Sequence, residues 1–215
     1  YYIAFQDLRV MLDQGTTEGN MVYVGIAKLL KAYSYSVIVD VWGDVPFSEA
    51  TQFPAISFPS FDDDATIYPA VLALIDEGIA DMNNADASNT LVPSSDDVIY
   101  GGSVAAWQRF GKTLKLRMLN QVRGINVITD AEDQIRALIA EGDLIADNSQ
   151  DCQLLYGPSQ NPENRHPAFV SDYASGNPIF YISIWFHQIM TGQNANIFSD
   201  LIDPRRPYYY TYQLT

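Results

Sequence analysis

Between Asn20 and Val41 the chain carries the pattern that most restricts its fold. Asn20 is a helix-capping residue type, and Val24, Ala27, Leu30/Lys31, Ser34, Ile38 and Val41 follow at a spacing near 3.6 residues. Tyr23, Tyr33 and Tyr35 add bulk around the same segment. Gly43 then supplies a residue that tolerates positive φ, and Pro46 prevents the helix from resuming. The segment predicts one long helix with a defined stop.

Residues 44–62 hold Pro46, Pro54 and Pro59 with no clear period, and read as a loop crossing the surface. A second helix is expected after Asp64 or Thr66, with Pro69 in its first turn, where a missing N–H costs nothing. Ile67, Val71, Leu74, Ile75 and Ile79 make its apolar stripe, and Asp76, Glu77 and Asp81 face water. Asn83 to Ser95 is polar and small, hence a loop. A third helix opens at Ser103 and reaches about Arg123, stopped by Gly124, with Trp107, Phe110, Leu114 and Met118 on one face. The fourth begins at a capping box, Thr129-x-x-Glu132, and carries Ile135, Leu138, Ile139 and Ile145. The predicted order is long, short, long, short.

After Asp147 the texture changes, so residues 1–146 are expected to form a helical scaffold with long loops and 147–215 an irregular region of the same domain. Six of the eleven prolines fall in residues 158–207. Periodicity returns only across Ile179 to Met190, where Phe180, Ile184, Trp185, Phe186 and Ile189 fit either a helix or an aromatic-rich strand. Half of the 14 tyrosines also lie here: Tyr156, Tyr173, Tyr181, Tyr208, Tyr209, Tyr210 and Tyr212. Tyr joins a large apolar face to a polar tip, and suits wet binding surfaces as well as cores. A long Pro-rich region in a compact domain is usually functional.

Charge narrows the partners. With 12 Lys plus Arg against 26 Asp plus Glu, the formal net charge is −14, which repels phosphate backbones and argues against nucleic acid. The charge is blocked along the chain. Ala32 to Gln108 holds twelve acids and no Lys or Arg, whereas Val98 to Thr129 holds Arg109, Lys112, Lys115, Arg117 and Arg123 and no acid. The basic third helix is expected to lie beside the acidic loop and second helix. The lone cysteine, Cys152, rules out an intrachain disulfide and a cysteine zinc cage, and reads as a small core residue. No uninterrupted run of about 18 apolar residues occurs, so no membrane-spanning helix is expected. The chain starts at Tyr1 without a Met or signal-peptide core and reads as a processed or trimmed product.

Catalytic signatures are missing from the sequence. Its two histidines, His166 and His187, stand in no metal-ligand spacing, and no G-x-S-x-G, phosphate loop or G-x-G-x-x-G occurs. Gly101-Gly102 before a helix reads as a turn. An acid pair for glycan cleavage could always be found among 26 acids, so the count carries no weight. Asp62-Asp63-Asp64 suits either a calcium site, without the D-x-D-x-D-G spacing, or the capping of a helix N-terminus.

The most specific stretch is Tyr33 to Ala50, whose Val-Asp-Val-Trp-Gly-Asp-Val-Pro-Phe-Ser-Glu-Ala end resembles the signature of SusD-like (SusD/RagB) proteins. Further segments follow in the family's order: Phe61-Asp62 with Ile67-Tyr68 and Leu74 to Met82; Asp97-Val-Ile-Tyr-Gly-Gly with Trp107 to Arg117; Glu141-Gly142; Asn177-Pro178; and Asp203-Pro-Arg205. The set covers about residues 20–210 and is specific as an ordered whole. Gly111 and Lys112 depart from the family's usual Ala and Asn, so that turn of the third helix is expected to pack differently. Family chains are about twice as long.

The resemblance implies a mainly α fold of tetratricopeptide-like helix pairs with an irregular, loop-rich aromatic region, here incomplete. It implies a cell-surface, outer-membrane protein, lipid-anchored through a segment absent from this chain. Such a protein captures a glycan or peptide and delivers it to a SusC-like TonB-dependent transporter, with no cofactor and no catalysis. The family motifs are mainly scaffold, so Trp42, Gly43, Asp44 and Pro46 read as structural. From residue chemistry, a sugar binder needs flat aromatics and Asn, Asp or Arg, which makes Tyr156, Asn161, Arg165, Tyr173, Tyr181 and Trp185 the candidate ligand contacts. Each has core packing as its alternative, Tyr181 and Trp185 most of all. Two other readings stay open: a glycan-cleaving enzyme using an acid pair, and a helical protein-binding scaffold. The helix starts near 20, 66, 103 and 131 do not repeat at the 34 residues of a regular tetratricopeptide array.

Overall fold

The computed structural model describes residues 1–125, 127–174 and 183–209, which divide into two compact units, Tyr1–Leu155 and Tyr156–Thr215. The first is built of α1 (Tyr2–Glu18), α2 (Met21–Trp42), α3 (Asp64–Met82), α4 (Val104–Val122) and α5 (Ala131–Glu141), followed by a single 3₁₀ turn at Asn148–Gln150. Each helix packs on its neighbour in sequence, and α4 also reaches α2, which gives the mainly α, helix-pair architecture expected. Among the described residues, β pairing is confined to the isolated bridges Val45–Asp62 and Gln160–Glu163.

Helix α2 is the centre of the core. Leu29, Ala27, Ala32 and Tyr35 are completely buried, and Val22, Val24, Ile26, Ile38 and Val39 nearly so. This corrects the predicted stripe: Leu30, Lys31 and Ser34 are only half-buried and Val41 is exposed. With α1 packed against it and α3 and α4 beside it, α2 is covered on several faces, and a one-face period could not describe it. By length and composition alone α2 could cross a membrane, contrary to the sequence reading, but 61% of that apolar window is buried inside the protein. It is a core helix.

Helix α1 had no counterpart in the sequence reading. Only Phe5 and Gly15 of its 17 residues are buried, so no stripe of period 3.6 exists to be read. Phe5 stacks on Tyr35 with ring centroids 4.4 Å apart, and this anchors the helix. Asn20 occupies the N-cap position of α2, yet its side chain makes no cap bond. Instead it is buried, accepting from Leu91 N–H (3.0 Å) and the Thr90 hydroxyl (3.2 Å) while donating to Glu18 (2.9 Å). It therefore pins the loop after α3 to the α1–α2 junction.

Other local expectations shift for clear reasons. Helix α3 is 19 residues long, the same as α4, so the order is not long, short, long, short. Pro69 sits in the helix interior, beyond the first turn. The Thr129–Glu132 capping box is replaced by Asp130 at the N-cap position, without a side-chain cap bond, and Ile139 is exposed. The helix expected to open at Ser103 begins at Val104, with Ser103 as its N-cap, its Oγ accepting from Ala106 N–H. Cys152 is exposed as a residue, although burial of its sulfur beside Tyr100 raises the thiol pKa and disfavours the thiolate.

The Trp42 to Ala50 motif forms a clasp across the α2–α3 connection. Gly43 takes φ 71° and donates back to the Val39 carbonyl. Asp44 accepts from Asp64 N–H (3.0 Å), and the Pro46 carbonyl accepts from the Tyr2 and Tyr35 hydroxyls. Asp62 accepts from the N–H groups of Phe47 and Ser48, and these bonds with the Ser48 hydroxyl hold its pKa low. Asp63 caps α3 through Ala65 N–H. Within the aspartate triplet, the Asp62 and Asp63 carboxylates are thus engaged by nearby backbone donors. Trp42 itself is exposed, with Tyr1 against its edge.

A second motif closes around Asp97. Its carboxylate accepts from the N–H groups of Ile99, Tyr100 and Gly102 and from the Trp107 indole N–H (2.8 Å). Thus the Asp-x-x-Tyr-x-Gly turn is tied to the first turn of α4, and Trp107 is 1% exposed.

The charge blocks meet as expected, but in two places. Lys115 of α4 bridges to Asp76 of α3, whereas Arg109 and Lys112 pair with Asp143 beyond α5. Lys28 of α2 takes Glu77 and Asp81, so Asp81 does not simply face water. Asp76 is more than half exposed, so Asp76→Asn should change stability by less than about 1 kcal/mol in urea denaturation. A larger loss would mean that the α3–α4 contact depends on this charge.

Candidate ligand-binding shelf

The second unit is short on regular structure. Its described helices are α6 (Pro167–Asp172), α7 (Ile184–Met190) and α8 (Arg206–Tyr209). The Ile179–Met190 ambiguity resolves to helix from Ile184 onward, while residues 179–182 lie outside the described residues. Before α6, Tyr156 to His166 fold back as a tight turn. Gly157 N–H donates to the Asn164 carbonyl (2.8 Å) and Asn164 N–H to that of Ser159 (3.2 Å). Asn161 lies at the tip, where its peptide bond to Pro162 is cis.

This turn and α6 place aromatic rings side by side. Arg165 forks onto Glu163 and holds its guanidinium 5.9 Å from the Phe169 centroid. Phe169 in turn stacks on Tyr173 at 5.9 Å with 22° between the planes. Tyr156 sets its ring against His166 at 4.7 Å. His166 caps α6, its Nδ1 accepting from Ala168 N–H at 3.1 Å. The shelf is open: Tyr156 is 47% exposed, Phe169 48% and Tyr173 59%. Phe169 is flanked by Arg165 and Tyr173, so Tyr173 is braced by a second ring while remaining open to solvent.

The ion pair tunes the turn. The Arg165 hydrogen bonds hold the Glu163 carboxyl down at about 2, so it stays ionised through the physiological range. A general acid for glycan cleavage needs the opposite shift. Glu163 works as a strut that fixes Arg165 under the shelf.

Of the sequence candidates, Tyr156, Asn161, Arg165 and Tyr173 therefore belong to one turn-and-helix element. Trp185 stands on α7 and is 57% exposed, so the core alternative fails for it, as it does for Tyr156 and Tyr173. Tyr181 lies outside the described residues, as do Asn177 and Pro178. Sequence reasoning missed Phe169 and His166. The signal available was the four-residue spacing Arg165, Phe169, Tyr173 around Pro167, a proline at the first helical position. The same unit has an apolar hollow of about 340 Å³ lined by Phe186, Ile189, Met190, Phe198, Leu201 and Ile202. Phe198 stands at φ 51° there, an uncommon backbone state for a bulky residue.

The first unit is thus built of helix pairs, and the second is loop-rich with exposed rings among its described residues. The profile of the SusD-like family, described as "Starch-binding associating with outer membrane", matches residues 1–215, and the chain belongs to that family. Solved structures share its fold. A candidate outer-membrane protein from Bacteroides vulgatus, described in connection with nutrient binding, is 24% identical with a TM-score of 0.70, over 95% of this chain and 42% of its own. A SusD homologue from Bacteroides fragilis is 20% identical with a TM-score of 0.67, over 80% of this chain and 36% of its own. Another from Bacteroides uniformis is 24% identical with a TM-score of 0.66, over 81% and 35%. The chain thus spans less than half the length of these relatives. No curated protein matches it.

Proposed function

We propose that this chain is the ligand-capturing part of a cell-surface nutrient-binding protein. The full-length protein is lipid-anchored at the outer membrane and passes a glycan from the aromatic shelf to a SusC-like, TonB-dependent transporter. Membership of a family described as starch-binding supports the ligand class, and the shelf supplies the chemistry. The observation that carries the reading is Tyr173, exposed yet braced by Phe169, because a fixed aromatic face takes the C–H face of a sugar with little loss of side-chain freedom. Asn161 and the turn's backbone offer hydrogen-bond partners for hydroxyls.

The test is calorimetric titration of the full-length protein with maltoheptaose. Binding is expected, and Tyr173→Ala should weaken it about tenfold or more. Affinity purification from the native membrane should recover a TonB-dependent transporter. Binding only to peptides would move the ligand class. No binding to either, with no transporter recovered, would end the proposal.

A further inference from the structure

We infer that Lys31 is a modification site, whose amine condenses with small aldehydes ahead of the other lysines of this chain. It is a reaction separate from ligand capture and needs nothing of the shelf. The chain has Lys28, Lys31, Lys112 and Lys115, and all are half-buried, so exposure does not separate them. Their partners do. Lys28 pairs with Glu77 and Asp81, Lys112 with Glu141 and Asp143, and Lys115 with Asp76. Among the described residues, Lys31 meets rings in place of a carboxylate: its Nζ lies 6.0 Å from the Tyr35 centroid and 5.9 Å from that of Phe47. Tyr35 stands one helical turn along α2 and Phe47 comes from the clasp, so two segments of the chain hold the amine. At that range a ring attracts an ammonium only weakly, and burial prevails, pushing the Lys31 ammonium below the ordinary lysine value. Burial acts on Lys28 as well, but Asp81 and Glu77 outweigh it, and the Glu141 bond raises Lys112 likewise. Lys31 thus becomes a free, nucleophilic amine at lower pH than these two.

Charged groups on the elements packed against α2 are engaged elsewhere. On α1, Arg9 bridges to Asp13, Glu18 accepts from Asn20, and Asp7 is exposed. On α3, Asp76, Glu77 and Asp81 hold Lys115 and Lys28. On α4, Arg109 and Lys112 share Asp143, and Arg117 donates to Ser36 over the Tyr33 ring. In the clasp, Asp44, Glu49 and Asp62 accept from the N–H groups of Asp64, Ser60 and Phe47. Asp40 of α2 itself accepts from the Tyr68 hydroxyl.

The surroundings also select the product. The Nζ lone pair attacks the aldehyde carbon, both amine protons pass to the aldehyde oxygen, and water leaves as the C=N bond forms. The neutral imine adds no charge between the rings. A carbamate made from carbon dioxide would set an anion against two ring faces, which are themselves negative.

The experiment treats the full-length protein with glycolaldehyde and cyanoborohydride, which reduces the imine to a stable secondary amine. Peptide mass spectrometry then follows incorporation at Lys28, Lys31, Lys112 and Lys115 separately. At neutral pH, Lys31 is expected to label about fivefold faster than any of the other three. As pH is raised, labelling at Lys31 should climb earlier than at Lys28 or Lys112. In urea the lead should vanish, because the rings and the ion pairs are then gone. Equal rates at the four lysines of the folded protein, or a lead held by another of them, overturn the inference. So do coincident pH profiles, or a Lys31 lead that survives in urea. Maltoheptaose titration of the same preparation tests the shelf, and its failure leaves the Lys31 result standing.

Discussion

Gly102→Ala is expected to cost the protein about 3 kcal/mol or more, a fall in Tm on the order of 10 °C for a chain this long. Gly102 sits at φ 84°, where an added Cβ alone costs about 1–2 kcal/mol. That Cβ would also lie 2.0 Å from the Pro93 carbonyl oxygen and 2.7 Å from its carbon, both backbone atoms that cannot rotate aside. Moving that segment would also detach the Gly102 N–H from Asp97. Gly101→Ala is the control, because Gly101 has φ 60° but nothing within 4 Å of a built Cβ. If both substitutions cost the same in urea denaturation, the Pro93 contact has no energetic role.

The Asp97 centre adds a pH signature to this prediction. Burial pushes its carboxyl upward, but the Gly102, Trp107, Tyr100 and Ile99 donors outweigh burial and hold it below the ordinary carboxylate range. A folded-state value below the unfolded one means stability that is present above the unfolded range and lost as pH falls through the folded value. Asp97→Asn should therefore lower stability at pH 7 and flatten the acid side of the profile. The two substitutions share one network, so their combined cost should be less than their sum.

The second large effect is expected at the α2–α3 crossing. Gly25→Ala in the middle of a helix would ordinarily stabilise by about 1 kcal/mol through helix propensity. Here the Cβ would fall 2.5 Å from the Gly78 carbonyl oxygen and 2.4 Å from Met82 Cγ. Met82 can swing away, but the α3 backbone cannot, and the helices must separate over a face that buries Ile67, Val71 and Ile75. Overpacking of this kind costs about 1–3 kcal/mol, enough to reverse the propensity gain, and Gly25→Leu should prevent folding. Gly124→Ala, with open space around it, should be neutral or slightly stabilising. A Gly25→Ala protein as stable as the parent would show that α3 shifts freely on α2.

Much of the scaffold could be read from the chain because one-sided helices leave a visible period. Trp107, Phe110, Leu114 and Met118 are all buried on α4 as their spacing predicts. The reading failed where burial is not one-sided: α2 is covered on several faces, and α1 buries too little to show a stripe. Asn20 and Thr129 show a different limit. Both look like cap residues, but Asn20, itself buried, finds its partners seventy residues away and Asp130 takes the N-cap position of α5.

The shelf was partly legible, since residue chemistry alone selected Tyr156, Asn161, Arg165 and Tyr173. Phe169 and His166 were missed because α6 is too short to announce itself, and both gain their roles from the rings and the cap beside them.

Local rules therefore determined the helical class, the opening of α4 near Ser103, the Gly43 stop and the ordered motifs that mark the family. Only the tertiary structure decided which glycines are obligatory and which aromatics stay open. It also showed that Asn20 and Asp62 join segments apart in the chain, and that Asp97 ties its own turn to the start of α4. Propensity and period act over a few residues, whereas steric contact, burial and shared hydrogen bonds depend on which parts of the chain arrive together.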